Sequence, residues 1–100
     1  MVRVALAVRL EAKPGKEAEV GAFLEGALSL ANQEASTPVW FALKFGPASF
    51  GIFDAFADDA GRQAHLGGRI AAALMAKAAE LLVETPVIEQ VDVLAVKLPG

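Results

Sequence analysis

The chain has 100 residues, the length of one ordinary domain with a single core. Its apolar fraction of 55% exceeds the roughly 45–50% of soluble domains, so surplus apolar surface must be covered, yet no run approaches the roughly 18 uninterrupted apolar residues of a membrane-spanning helix. A net charge of −3 without a Lys/Arg cluster argues against nucleic acid, and the absence of cysteine excludes disulfides, thiolate catalysis and Cys-based metal sites.

Val2, Val4, Leu6, Val8 and Leu10 alternate with Arg3, Ala5, Ala7 and Arg9, which predicts a half-buried first strand. Neither this segment nor its flanks has the apolar stretch and small-residue cleavage site of a secretory leader, so a cytoplasmic location is expected. Lys13-Pro14-Gly15-Lys16 stops the strand. From Lys16 to Asn32 the residues Val20, Phe23, Leu24, Leu28 and Leu30 recur at helical spacing. Gly21 and Gly26 weaken that helix, and close contact with a sheet would explain both.

Asn32 to Pro38 reads as a polar loop. Val39–Phe45 and Phe50–Phe56 then form two strands joined by a tight connection, hence an antiparallel hairpin. Asp58 and Asp59 suit a helix start, and Gly67-Gly68 predicts a kink or break. Ile70 to Val83 is the longer helical piece, with Leu66, Ile70, Leu74, Ala78 and Leu81 or Leu82 as its core stripe. Val87 to Leu98 is strand-like again.

The order β-α-β-β-α-β predicts an α+β, ferredoxin-like domain over residues 1–100: a four-stranded antiparallel sheet with helices on one face. Such a sheet should be apolar on the helix side and polar on the other. Here Val39, Phe41, Leu43 and Phe45 share one side while Trp40 and Ala42 occupy the other, and Phe50, Ile52, Asp54 and Phe56 back onto Gly51, Phe53 and Ala55. Both faces need cover, and pairing of the sheet with a second copy around a two-fold axis is the expected solution.

The segments Leu10-Glu11-Ala12-Lys13-Pro14-Gly15-Lys16-Glu17, Phe23-Leu24, Gly51-Ile52-Phe53-Asp54-Ala55-Phe56 and Ala64-His65-Leu66 resemble the antibiotic-biosynthesis-monooxygenase family over nearly the whole chain. That resemblance implies a dimeric α+β barrel with the two sheets face to face. It also implies oxygenation of a small electron-rich aromatic, a quinol or polycyclic phenol, without metal or flavin. A non-catalytic dimeric module that binds a small hydrophobic ligand is the alternative.

His65, the only histidine, is the natural proton acceptor near neutrality and the first catalytic candidate; its other reading is a helix residue bonded to a neighbouring backbone group. Asp54 lies inside an aromatic strand, where a carboxylate needs partners: either it tunes His65 or a bound hydroxyl, or it accepts backbone N–H groups. Trp40, Phe41, Phe53 and Phe56 are candidates for lining an aromatic pocket, and Arg69, one helical turn from His65, for binding substrate. A single histidine with scattered carboxylates has no metal-ligand spacing, and no glycine-rich nucleotide motif is present.

Overall fold

The computed structural model describes residues 1–99. In chain order it contains β1 (Val4–Glu11), α1 (Glu17–Ala31), β2 (Val39–Lys44), β3 (Ser49–Phe56), α2 (Asp59–Leu66), α3 (Arg69–Leu81) and β4 (Val87–Asp92). The strands form one antiparallel sheet in the order β2-β3-β1-β4, with the helices on one face. This is the ferredoxin-like arrangement read from the sequence.

Its central pair, β1 and β3, runs from Val4 opposite Phe56 to Glu11 opposite Ser49. That register puts Leu6, Val8 and Leu10 beside Asp54, Ile52 and Phe50 on the helix side. Val8, Leu10, Phe50 and Ile52 pack there against Val20 and Leu24 of α1 and Leu74, Ala78 and Leu81 of α3. Burying such side chains contributes roughly 1.5–3 kcal/mol each, which offsets the weak propensity of the glycine-containing α1.

Gly15, the only residue among those described with a positive φ (87°), turns the chain out of β1, and its N–H donates to Glu17 Oε1 at 2.9 Å. The interior of α1 is narrower than its periodicity suggested: Val20, Leu24, Ala27 and Ala31 are buried, whereas Leu28 is half exposed. Gly21 does lie against the sheet, 3.7 Å from the Phe50 ring measured from an added Cβ, but Gly26 meets nothing within 4 Å. Sheet contact therefore explains only the first of the two glycines.

Asp58 caps α2 by accepting the Gly61 N–H at 3.0 Å. The glycine pair breaks the helix as expected: α2 ends at Leu66, Gly68 is extended, and α3 starts at Arg69. The last strand is shorter than its alternation predicted, ending at Asp92 instead of Leu98. Beyond the bond from Val93 N–H to Arg3 C=O at 2.9 Å, residues 94–99 have no ladder partner, and Leu94, Val96 and Leu98 lie exposed. Alternation alone cannot end a strand; loss of a neighbour does.

The other sheet face carries Phe41 opposite Phe53, Val39 and Ala5 opposite Ala55, and Val91 opposite Ala5. Phe45 lies over Gly51, where an added Cβ would come within 2.7 Å of its ring, and the Arg9 guanidinium sits 4.1 Å from the centre of that ring. Glycine is required in β3 at this point because an added Cβ would also come within 2.9 Å of the Val8 carbonyl oxygen, a backbone atom that cannot swing aside as a side chain can. Phe41 and Phe45 are about half exposed, at 51% and 53%.

Candidate functional site

Three chain segments converge where β3 passes beneath α2. Strand parity aims Asp54 toward the helices, and His65 faces inward from the last turn of α2; the two side chains are 1% and 7% exposed. His65 Nε2 lies 2.9 Å from Asp54 Oδ2, a close ion-pair distance without the alignment of a hydrogen bond. On the opposite edge of the ring, Nδ1 lies 2.5 Å from Glu34 Oε1, and that same oxygen accepts the Thr37 hydroxyl at 2.8 Å. Phe56, fully buried, packs its ring against the imidazole with centroids 5.5 Å apart.

An imidazole held between two carboxylates favours its cation. Burial pulls the His65 pKa down, but the facing carboxylates of Asp54 and then Glu34 outweigh it and push the value up from 6.5 to about 9. At neutral pH the imidazole is therefore the cation. Since the folded state binds this proton more tightly than the unfolded chain, its contribution to stability is complete below pH 6.5 and is lost as pH rises through 9. Unfolding free energy measured by urea titration is expected to fall over that window by about 3 kcal/mol, a slope of about 1.4 kcal/mol per pH unit at its steepest. A flat profile over the window would contradict the assignment.

The Asp54–His65 pair closes one end of a cavity between the sheet and α3, lined by Leu6, Val8, Ile52, Ile70, Leu74, Met75 and Ile88 among others. Its free volume is about 30 Å³, enough for one or two waters. Asp54 Oδ1 is buried without a hydrogen-bond partner among the described residues, an expensive state for a charged oxygen in apolar surroundings. The cavity is thus apolar apart from the buried carboxylate and imidazole in its lining.

A second, open cleft of about 250 Å³ lies on the far side of the imidazole, lined by Glu34, Ser36, Thr37, His65 and Arg69 among others. His65 lines both spaces.

Of the residues singled out from the sequence, the structure brings His65 and Asp54 together and places Phe56 beneath them. Arg69 belongs to the outer cleft, with its guanidinium 3.5 Å from Gln33 Oε1. Trp40 is directly opposite Asp54 in the sheet and packs against Ala27, Ala31 and Ile70, outside the cavity lining. Phe41 and Phe53 occupy the opposite sheet face and do not reach the cavity. Its wall is aliphatic because the parity that aims Asp54 inward turns Phe53 outward. Glu34, read from the sequence only as part of a polar loop, is the residue that pattern reasoning missed. It sits 31 positions from His65, and a loop carboxylate has no periodicity to flag it.

Among the described residues, no three histidine, cysteine, aspartate or glutamate side chains are disposed to share one metal ion. Glu34 and Asp54 contact opposite edges of the imidazole, so their oxygens do not converge. Nor is any helix long and apolar enough to cross a membrane.

No family model matches the chain, and no curated protein does. Among solved structures, a Nitrosomonas europaea protein of unknown function is 66% identical, with a TM-score of 0.97 over 100% of this chain and 97% of that one. An antibiotic biosynthesis monooxygenase superposes with a TM-score of 0.78 at 13% identity, over 92% of this chain and 99% of its own. A Caulobacter crescentus protein provisionally assigned to the same monooxygenases gives 0.77 at 20% identity, over 94% and 92%. At such identities the last two likenesses establish the shared fold.

Proposed function

The chain belongs to the same family as the Nitrosomonas europaea protein of unknown function and has the antibiotic-biosynthesis-monooxygenase fold; from that premise we propose that it is a cofactor-independent monooxygenase acting on a small quinol or phenol. The observation that carries this reading is the unpaired Asp54 oxygen, backed by His65, at the end of an otherwise apolar cavity. Asp54 accepts the substrate's hydroxyl proton, and the imidazolium behind it offsets the negative charge that then develops in the cavity. The electron-rich phenolate reduces dioxygen itself. One oxygen atom enters the ring in place of hydrogen, the other leaves as water with the two hydrogens the substrate has lost, and the substrate supplies all the electrons.

A cavity that admits benzene measures about 150 Å³, so this one must widen for even a single ring. Met75, half exposed at its wall and freely rotatable, is the side chain able to swing aside, and the break between α2 and α3 allows the helix to shift. The required widening favours one-ring quinols over polycycles. Oxygen consumption by the metal-free protein with a panel of hydroquinones and anthrones tests the reading. Turnover of at least one class supports it. Tight binding with no oxygen uptake would instead favour the non-catalytic ligand-binding module.

The working form in this reading is a homodimer joined through the sheet face bearing Phe41, Phe53, Val39 and Ala55. Its support is the half-exposed aromatic surface, which a soluble chain covers most simply with a second copy of itself. Sedimentation at micromolar concentration is expected to give a dimer and Phe41→Glu a monomer. A monomeric parent protein would overturn the assembly.

A further inference from the structure

Glu34 lies outside the catalytic reading above, yet it makes the shortest polar contact of the site. Its position is specified. Oε1 takes the Thr37 hydroxyl while facing Nδ1, and Thr37 is itself buried, with its N–H bonded to the Glu34 carbonyl at 3.1 Å. The loop between α1 and β2 is thus folded back on itself so that one carboxylate oxygen meets the imidazole edge.

We propose that Glu34 is the positioning residue of the site: by binding Nδ1 from the solvent cleft it fixes the orientation of the His65 ring and keeps both ring nitrogens protonated, so that Asp54 and not His65 takes the proton of an ionisable hydroxyl in the cavity. The substrate part of this assignment rests on the function proposed above; the relation between Glu34 and His65 does not.

A neutral imidazole has one lone pair able to act as a base. With Nδ1–H bonded to Glu34 and a proton on Nε2, which lies 2.9 Å from Asp54 Oδ2, that lone pair is gone, and His65 acts only as donor and cation. The remaining base beside the cavity is the Asp54 carboxylate, which is buried in its lining with neither oxygen hydrogen-bonded among the described residues. An apolar molecule carrying an acidic hydroxyl matches the pair: its O–H bond breaks, the new O–H bond forms on Asp54, and the electron pair stays on the phenolate oxygen near the imidazolium. Glu34 is 21% exposed and opens on the cleft, so it retains solvation and bears its charge at less cost than Asp54.

The other charges around His65 do not substitute for Glu34. Arg62, on the same helix, is committed to Asp59 at 2.9 Å and to the carbonyls of Ala5 and Val91 at 3.4 and 3.2 Å. Arg69, at the start of α3, is directed at Gln33. Asp54 faces the opposite ring edge from β3. Glu34 is therefore the one carboxylate among the described residues placed to hold Nδ1.

Nitrogen-15 imidazole spectra of the full chain test the assignment without any substrate. His65 is expected to be doubly protonated at pH 7 in the parent, and in Glu34→Gln its titration should move down toward the ordinary value of 6.5. Glu34→Asp, which keeps the charge, should restore part of the parent behaviour. In the oxygen-uptake assay Glu34→Gln should lose severalfold at pH 8, where less of the imidazole stays protonated although Asp54 still faces it, while approaching the parent rate near pH 5.5. An unchanged His65 titration in Glu34→Gln, or a single protonated nitrogen in the parent at pH 7, would overturn the proposal. Absence of turnover on every phenol would refute the proposed function, and the spectra would still decide the role of Glu34.

Discussion

Replacement of His65 by alanine is expected to lower the unfolding free energy by about 3–5 kcal/mol at pH 7, the loss typical of removing one partner from a buried ion pair. Asp54 is 1% exposed, its Oδ1 already lacks a partner, and its Oδ2 has only the imidazole 2.9 Å away. Deleting the ring leaves a carboxylate enclosed by Leu6, Ile52 and Ile70 with nothing to offset its charge. It also empties the space against the Phe56 ring. Chemical denaturation checks this. A second variant separates charge from volume: with His65→Leu and Asp54→Val combined, most of the loss should disappear, because a buried pair replaced by apolar groups is often neutral in stability. A loss below about 1 kcal/mol in His65→Ala would contradict a buried ion pair at this place.

The second large effect concerns turnover. Asp54→Asn keeps the size and shape of the side chain but removes its ability to take a proton, and should slow oxygenation by roughly 10²–10⁴-fold, the range general-base catalysis contributes. Its stability should fall less than that of His65→Ala, because His65 keeps Glu34 as a counter-charge at 2.5 Å. The two residues thus separate by measurement: loss at Asp54 is chiefly a loss of rate, and loss at His65 a loss of both rate and fold. Asp54→Asn turning over at the parent rate, with His65→Gln inactive, would make the imidazole the base and sink this assignment.

Much of the architecture was legible in the sequence because both periodicities are clean. Val4, Leu6, Val8 and Leu10 alternate through β1, Ile70, Leu74, Ala78 and Leu81 repeat through α3, and Gly67-Gly68 marks the break between α2 and α3. The errors have physical causes. Leu28 looks like core by size, but the small Ala27 and Ala31 take the inner face of α1. The apolar residues Val93, Leu94, Val96 and Leu98 extend strand-like composition past Asp92, where pairing with β1 stops. At the site, parity carried more information than composition: Phe53 is adjacent to Asp54 in sequence and therefore on the opposite face. Glu34 could not be found this way. Its significance depends on a loop returning to a helix, and no spacing along the chain encodes that contact.

The arrangement of Thr37, Glu34, His65 and Asp54 also bears on how such a site is inherited. The buried Asp54 and His65 depend most on each other, so a lineage that loses one of the two is under pressure to lose the other. Intermediates with an isolated buried carboxylate carry the greatest penalty, and descendants should cluster at the two ends: the full set retained, or an apolar residue at position 54 together with a non-ionisable one at position 65. The Nitrosomonas europaea relative offers a place to begin, since the residues it carries at these positions report which of the two ends it occupies.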